Sequence, residues 1–349
     1  MRSRKTIAIA PGATIKEQLE DQGMTQKEFA LRMDMSEKHI SKLINGEVHL
    51  TPDVALRLEY VLGLPAQFWM NLEALYREQC ARVQAENEMD NDIELAKQFP
   101  YGEMAKFGWV KATRIATEKV ENLRSYFQVA KLGTLEKLTT PGIAYRRTDA
   151  NSKSDYALAA WSQQARIEAR ERCVESINLT RLRELLPSIR AMTLEKPDDF
   201  CPKLIETLAQ CGIALVFLPH ITGSFLHGAS FYEGKRIVLG LTVRGRDADR
   251  FWFSLFHELA HILNGHIGKM NGTTDADEKE ADEFAAEELI PHKYLEQFLE
   301  NYSITEDTVR GFAARIGVDP GIVVGRLQKN EVIRYNQLNG LKTQYYLNK

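Results

Sequence analysis

Hydrophobic residues recur at helical spacing through the first part of the chain, and each run follows a residue that can start a helix. Apolar positions three and four residues apart are typical of an amphipathic helix. We therefore predict five short helices within residues 14–78. The residues that mark their starts are Thr14, Thr25, Ser36, Thr51 and Pro65. Glu28 follows Thr25 by three residues, which predicts a reciprocal capping box at the second helix.

The middle of the chain repeats this periodicity less regularly. Residues 80–92 are polar, and predict either a linker or an extension of the helix before them. Residues 93–195 are mostly helical in pattern. The clearest segments are 113–130, 155–176 and 179–192, and the breaks are Pro141-Gly142 and residues 148–154. This central region could dimerise the chain, bind a ligand or act as a spacer.

After Pro197 short β-rich runs are mixed with helical ones. The predicted elements are a helix over 200–212, a β-rich run over 213–219, two strands over 228–234 and 235–241 joined at Glu233-Gly234, helices over 247–266 and 275–290, and short helices over 303–334. A few strands among helices predict a small α+β domain within a mostly α chain. We predict three regions, with boundaries at 1–80, 81–195 and 196–349.

Composition narrows the class of protein. Of the 349 residues, 44% are hydrophobic and 27% charged, and no apolar run approaches the roughly 20 residues of a membrane span. The cysteines Cys80, Cys173, Cys201 and Cys211 lack CxxC spacing, which favours free thiols in a reducing cytoplasm. A net charge of −3 argues against nonspecific coating of nucleic acid, so DNA binding must come from a local surface. We expect a cytoplasmic chain with no membrane partner.

The segment His-Glu-Leu-Ala-His at 257–261 predicts a metal site. Four residues make about one helical turn, so His257 and His261 project from one helix face and can share one tetrahedral zinc ion. Glu258 lies one step round the helix, where it can serve as general base toward a water molecule. The alternative is a helix whose two histidines are ordinary surface or core residues.

A third ligand must come from another element, and the acidic helix that follows offers one. Glu278 and Asp282 share a face of that helix, and Ala281 and Ala285 allow close packing against the first helix. We choose Glu278 as the ligand and Asp282 as the residue that orients a ligand histidine. Glu280 is the main alternative.

Three other side chains near the motif need an interpretation. His266 lies nine residues from His257 on the same predicted helix, so it should point to another face and be structural. His227 and Tyr232 lie on or before the predicted strand pair, and either could hydrogen-bond the oxyanion of a tetrahedral intermediate. Both could instead be ordinary residues of an edge strand.

These features, in this order, resemble the ImmA/IrrE family of metallopeptidases over about 197–335. Residues 278–291 are similar to the acidic segment that follows the HExxH helix in that family, although Asp282 replaces the usual Asn and Glu288 a common apolar residue. The resemblance implies a zincin-like fold, Zn²⁺ as cofactor and Glu278 as ligand. It also implies a substrate class, since family members cleave helix-turn-helix repressors.

The second and third predicted helices have the anatomy of a helix-turn-helix. Ala30 is small where the helices should cross, Met33 and Met35 flank the turn, and Ile40 and Leu43 should face the core. The residues left on the outer face of the third helix are Glu37, Lys38, His39, Ser41 and Lys42. That set would face the major groove, while Thr25 and Gln26 could hold a phosphate.

Residues 11–33 and 36–76 resemble the HigA antitoxin branch of the Xre-type helix-turn-helix family, down to the segment FWMNLEALY. The resemblance implies binding to operator DNA as a homodimer. A five-helix protein-interaction domain that has lost DNA binding is the alternative, because acidic and basic residues balance over 1–62.

Together the two halves predict a DNA-binding transcriptional regulator joined to a zinc endopeptidase. The protein substrate would be a helix-turn-helix repressor or the chain itself. The competing hypothesis is a non-catalytic antitoxin or repressor that uses the peptidase fold as a sensor or partner-binding domain.

Overall fold

The chain folds into two compact units, one ending at Ile93 and one beginning at Glu94. The computed structural model describes residues 7–87, 89–136, 152–224, 228–242, 247–269 and 272–345. The fold is mostly helical with a small three-stranded sheet. Within the described residues, no helix is long and apolar enough to span a membrane.

The N-terminal unit is built from consecutive short helices and one long one. They are α1 (Gly12–Asp21), α2 (Gln26–Arg32), α3 (Glu37–Ile44), α4 (Pro52–Leu62) and α5 (Ala66–Asn87), and α6 (Asp90–Ala96) runs across the boundary. Thr25, Ser36 and Thr51 cap α2, α3 and α4 through their hydroxyl oxygens. The long α5 shows that the polar residues after 80 extend the helix, one of the two predicted alternatives.

Two details at the helix starts differ from the prediction. Helix α1 begins at Gly12, not after Thr14, because Pro11 at its start already has helical backbone angles. A Cβ at Gly12 would lie 1.9 Å from the carbonyl oxygen of Ile44, so glycine lets α1 approach the end of α3. At α2, Thr25 accepts from the backbone of Glu28, but the Glu28 carboxylate accepts from Arg32 and does not complete the box.

The core of this unit supports the helical periodicity. Ile40 and Leu43 are buried, as predicted, and Ala30 is buried where α2 packs on α3. Trp69 from α5 is fully buried in the same cluster. The apolar faces of all five helices therefore meet in one small core.

The C-terminal unit places its helices around the sheet. Its helices are α7 (Tyr101–Lys106), α8 (Ala116–Phe127), α9 (Ser152–Arg170), α10 (Leu179–Ala191), α11 (Pro197–Ala209), α12 (Ala248–Leu263), α13 (Asp275–Leu289), α14 (His292–Asn301), α15 (Glu306–Ile316) and α16 (Pro320–Lys329). Its strands are β1 (Ile213–Leu218), β2 (Gly228–Glu233) and β3 (Arg236–Thr242).

The sheet has the order β1-β3-β2, with β3 in the middle. Strand β3 is parallel to β1 and antiparallel to β2, which confirms the predicted pair of strands joined at Glu233-Gly234. Glu233 pairs with Arg236, and Gly234 takes a positive φ of 60° in the turn between them. Among the described residues, no strand pairs with the other side of β2, which is thus an edge strand of the sheet.

Helices cover both faces of the sheet. Helix α9 packs on β1 and β3, while α12 packs on β2 and β3 from the other face. Gly240 of β3 lies directly under the buried Trp161 of α9, where a Cβ would come within 2.5 Å of the indole ring. The helical region expected over 81–195 therefore includes a structural layer of the C-terminal unit.

Helix α12 is shorter than predicted. It ends at Leu263 rather than at His266, because Gly265 takes a positive φ of 74° and the chain turns into a short 3₁₀ segment, His266–Gly268. The Asn264-Gly265 pair is the sequence signal for this end. The turn changes where His266 points.

We predict that Gly240→Ala destabilises the protein by about 1–3 kcal/mol, because the added methyl group overpacks against a fixed indole ring. Gly311→Ala on α15 is the matched control, since a Cβ there meets nothing within 4 Å. The control should be neutral or stabilising by up to about 1 kcal/mol, as alanine is the better helix former. Urea unfolding of the full chain measures both, and equal stability of Gly240→Ala and wild type would contradict the packing.

Candidate functional site

Three side chains from two neighbouring helices converge on one point. The Nε2 atoms of His257 and His261, on successive turns of α12, lie 3.0 Å apart. Glu278 in the first turn of α13 places one carboxylate oxygen 3.4 Å from Nε2 of His257 and the other 3.6 Å from Nε2 of His261. A tetrahedral ion with bonds of about 2.0–2.1 Å separates its ligand atoms by about 3.3 Å. The donor set and spacing therefore fit one shared zinc ion.

The charges in this cluster depend on one another. Burial by itself lowers the pKa of His257, but hydrogen bonds with Asp282 and Glu278 outweigh it and raise that pKa to about 10. Burial and the neighbouring charge of His257 lower the pKa of His261 to about 4. The hydrogen bond from His257 lowers the pKa of Glu278 to about 2. Because metal ligands must be deprotonated, a divalent ion would compete with the proton on His257.

Each imidazole is held through its second ring nitrogen. Asp282 Oδ1 lies 2.9 Å from Nδ1 of His257, where a carboxylate can fix the ring orientation. Nδ1 of His261 lies 3.0 Å from Nδ1 of His266. His266 is buried against His261 rather than pointing away from it, so its predicted placement on another helix face is wrong. The turn at Gly265 is the physical reason.

The contacts of His266 set the direction of the hydrogen bond between the His261 and His266 rings. A ring nitrogen that faces a metal carries no proton, so His261 would be protonated on Nδ1 and donate to Nδ1 of His266. His266 would then carry its proton on Nε2, which lies 3.5 Å from carboxylate oxygens of both Asp277 and Glu280. The alternative ligand Glu280 thus approaches His266, and it also accepts from Asn264 at 2.9 Å.

His266, Asp277 and Glu280 form a second group that could hold a cation. Both carboxylate oxygens of Asp277, however, accept from the ammonium of Lys269 at 2.7 Å. The hydrogen bond from Lys269 is the main cause that lowers the pKa of Asp277. The fixed ammonium already neutralises this group, which fits a support for His261 better than a second metal site.

Glu258 is buried next to strand β2. Its Oε2 accepts a hydrogen bond from the Ser230 hydroxyl at 2.7 Å. A Cβ at Gly228 would lie 2.8 Å from Cγ of Glu258, so only glycine leaves room for this side chain. Burial raises the pKa of Glu258, although His257 and Ser230 oppose that rise. Sequence reasoning missed Ser230 and Gly228, because nothing local in the sequence states which face of the strand meets α12.

Of the two residues proposed to stabilise an oxyanion, the structure describes only Tyr232. Tyr232 shares a face of β2 with Ser230 because strand residues two apart point the same way, so it faces the α12 side. Its side chain is half exposed and lies beside Gly268. His227 lies outside the described residues.

In the N-terminal unit, α3 exposes only part of the set of residues predicted to face the groove. Glu37, Lys38 and Lys42 are exposed, whereas His39 and Ser41 are half-buried. Gln26 is exposed at the start of α2, but the Thr25 hydroxyl already accepts from the backbone of Glu28.

The turn between α2 and α3 is held by a residue that the motif does not include. Asp34 takes a positive φ of 52° there, a conformation that asparagine and aspartate tolerate. The Arg57 guanidinium from α4 donates to the carbonyl oxygen of Met33 at 3.0 Å and pairs with Asp53. Arg57 therefore ties the turn to α4.

Two family models match separate parts of the chain. Residues 15–69 match a helix-turn-helix model. Residues 222–328 match a peptidase M78 model described as an IrrE N-terminal-like domain. The second match contains β2, β3 and the HExxH helix.

Two curated proteins are similar to part of this chain. An uncharacterized HTH-type transcriptional regulator, YddM of Escherichia coli, is 36% identical over 63 residues, which cover 18% of this chain and 67% of that protein. Antitoxin HigA-1 of Vibrio cholerae is 39% identical over 74 residues, which cover 21% of this chain and 70% of that protein. A solved structure of a HigA-family addiction module antidote protein from Coxiella burnetii is 26% identical, covering 24% of this chain and 92% of that one, with a TM-score of 0.22.

We predict that His266→Ala weakens zinc binding by about tenfold to a hundredfold, the usual cost of losing a residue that orients a ligand histidine. His261 would lose its hydrogen-bond acceptor, and its ring could rotate away from the ion. His266→Gln can still accept from His261, so it should keep part of the affinity. Competition with a chromogenic chelator measures the dissociation constants of the full chain.

His292→Ala is the control for the loss of a histidine, since His292 is 68% exposed on α14 and pairs with Glu296. It should bind zinc like the wild type. A folded His266→Ala variant with wild-type zinc affinity would show that His266 does not position His261.

Proposed function

We propose that this chain is a transcriptional regulator with a zinc-dependent endopeptidase domain. The chain belongs to the HigA-like Xre-type helix-turn-helix family, and it also carries an IrrE-like peptidase domain. The observation that carries the proposal is the convergence of His257, His261 and Glu278 beside the buried carboxylate of Glu258. Two imidazoles, a carboxylate ligand and a separate base are the parts that metal-assisted peptide hydrolysis needs.

His257, His261 and Glu278 would hold the zinc ion. When bound, zinc supplies Lewis acidity that polarises a peptide carbonyl and makes water a stronger nucleophile at neutral pH. Asp282 and His266 would keep the two imidazoles in the tautomer that binds metal. The proposed ligand set uses three protein groups, which is the number typical of catalytic zinc sites.

Glu258 would act as the proton carrier. Ser230 holds one carboxylate oxygen, and burial raises the pKa of the group, so a proton taken from water can be held until it passes to the leaving amine. A raised pKa makes the carboxylate a stronger base, and more of its protonated form is present near neutral pH for the second half of the reaction. Gly228 fixes the depth at which this carboxylate lies.

Strand β2 would bind the substrate. Its outer edge pairs with no strand in the part of the chain that the structure describes, so its backbone groups can accept an extended peptide as an added strand. Ser230 and Tyr232 lie on the face of this strand that packs toward α12, which brings an added peptide to the side that carries Glu258. A half-exposed tyrosine there is available to an oxyanion.

The N-terminal unit would bring the protein to an operator. Lys38 and Lys42 on α3 supply positive charge and hydrogen-bond donors to the major groove. By resemblance, a second copy would read the other half of a near-palindrome as a homodimer. Cleavage of a helix-turn-helix repressor, or of the chain itself, would then change transcription.

A second candidate function rests on the similarity to an antitoxin. The V. cholerae relative is named as one, and a DNA-binding antitoxin needs no proteolysis. In that case the zinc-binding domain would serve as a sensor or as the surface that binds a partner.

The decisive experiment tests cleavage directly. Zinc-loaded full chain is incubated alone and with the helix-turn-helix repressor encoded nearest to it, and the products are identified by intact-mass spectrometry. We expect discrete cleavage products, and Glu258→Gln should abolish them while retaining zinc, because glutamine cannot accept the proton.

Cleavage that persists in Glu258→Gln would contradict the mechanism. Full zinc occupancy with no cleavage of either protein would favour the antitoxin function instead. Loss of zinc from Glu280→Ala but not from Glu278→Ala would move the third ligand to Glu280.

For DNA binding we predict that Lys42→Ala weakens operator affinity by about 1–3 kcal/mol if the ammonium contacts a base edge. Lys111→Ala, an exposed lysine of the C-terminal unit, is the charge-matched control and should bind as the wild type does. Fluorescence anisotropy with the protein's own promoter at fixed salt measures both. Unchanged affinity in a Lys38→Ala/Lys42→Ala variant would show that α3 does not read the groove.

A further inference from the structure

A cavity of about 300 Å³ lies along helices α12 and α13, next to the cluster formed by His257, His261 and Glu278. Helix α12 contributes Phe253, one turn before His257, and α13 contributes Ala286 and Leu289, one to two turns after Asp282. These spacings keep the cavity on the helix faces that carry the cluster. Helix α16 forms the far wall. The volume is at the small end of the range of ligand sites.

The inner wall is apolar. Phe253, Leu289, Ile290 and Ile322 line it, and the last three belong to the main hydrophobic core. An apolar surface of this kind gains free energy when a ligand displaces water from it. The cavity therefore favours a ligand with a hydrophobic portion.

The polar lining is strongly asymmetric in charge. Arg250, Arg326, Lys329 and Lys342 line the cavity, against a single carboxylate, Asp249. Lys342 and Asp249 neutralise each other at 2.8 Å, with both side chains nearly buried. Arg250 pairs with Asp247 at 3.7 Å, so the excess positive charge lies on Arg326 and Lys329 of α16.

Arg326 is the lining cation whose hydrogen bonds are incomplete. It is half-buried, and its Nε has no hydrogen-bond partner within the part of the chain that the structure describes. Glu287 supplies a nearby negative charge, but its carboxylate accepts from the backbone of His292. A buried guanidinium nitrogen without an acceptor costs free energy, and a carboxylate matches the two-pronged geometry of the guanidinium.

We propose that this cavity binds a small amphipathic monocarboxylate. Its carboxylate would lie on Arg326 and Lys329, and its hydrocarbon part against Phe253 and Ile322. A small inorganic anion would leave the apolar wall unused, and a neutral hydrocarbon would leave Arg326 without an acceptor. The binding does not depend on whether the cluster cleaves peptides.

The carboxylate could come from two sources. One is a free carboxylic acid, and the other is the C-terminal carboxylate of a peptide that lies along the α12–α13 pair. In either case the ligand would contact Phe253, whose ring centroid is 6.4 Å from that of His257. A bound ligand would then contact a side chain that lies next to His257.

The test is calorimetric titration of the full chain with octanoate and with octan-1-ol. Octanoate should bind at least about tenfold more tightly, since the two probes share a hydrocarbon tail and differ in charge. Arg326→Gln should weaken octanoate binding by about tenfold or more, equivalent to about 1.4 kcal/mol. Arg310→Gln, an exposed arginine on α15 that pairs with Glu306, is the matched control and should bind as the wild type does.

Lys329→Gln, at an exposed position on the same wall, covers the case in which Arg326→Gln fails to fold, and should also weaken octanoate binding. Equal affinity for octanoate and octan-1-ol, or wild-type octanoate affinity in the folded charge variants, would overturn the proposal. An acetylated leucine peptide with a free C-terminus, compared with its amide, separates the two sources. Displacement of octanoate by the free acid alone assigns the site to peptide ends, and displacement by neither assigns it to free carboxylic acids.

Discussion

The C-terminal unit depends on burying α12 between the sheet and α13 while that helix carries ionisable side chains. An uncompensated polar group in such a place costs several kcal/mol, comparable with a large part of the stability of a domain. Neighbouring elements supply a polar partner for each of these side chains. Ser230 meets Glu258, Asp282 meets His257, and His266 meets His261.

Small residues make that burial geometrically possible. Ala281 and Ala285 are fully buried on α13, and they let it pack closely enough for Glu278 to reach both histidines. Gly228 gives Glu258 its space, and Gly240 gives the indole of Trp161 its space on the other face of the sheet. The hydrogen bonds of the buried polar groups therefore depend on close packing, because each carboxylate or ring must approach its partner within hydrogen-bond distance.

How far the sequence predicts this arrangement depends on the range of each contact. The spacing of His257 and His261 follows from helix geometry alone, and the acidic helix that follows offers only a few carboxylates as candidates for a third ligand. The strand pair around Gly234 can also be predicted from neighbouring residues, because its turn lies between the two strands. The predicted face for His266 is wrong because the turn at Gly265 ends the helix at Leu263, three residues before the predicted end. Ser230 and Gly228 could not be found, since nothing local states which strand face meets a helix 28 residues away.

The same reasoning applies to the start of the C-terminal unit. A boundary at residue 196 looks natural in the sequence, because β-rich segments start after it. In the structure, α9 covers the face of β1 and β3 opposite α12, and its Trp161 is fully buried there. Losing one buried tryptophan costs about 3–5 kcal/mol, and losing the whole helix would also expose the apolar face of the central strand. The sheet that supports Glu258 therefore needs residues well before 196. The physical unit behind the candidate site is the one that begins at Glu94.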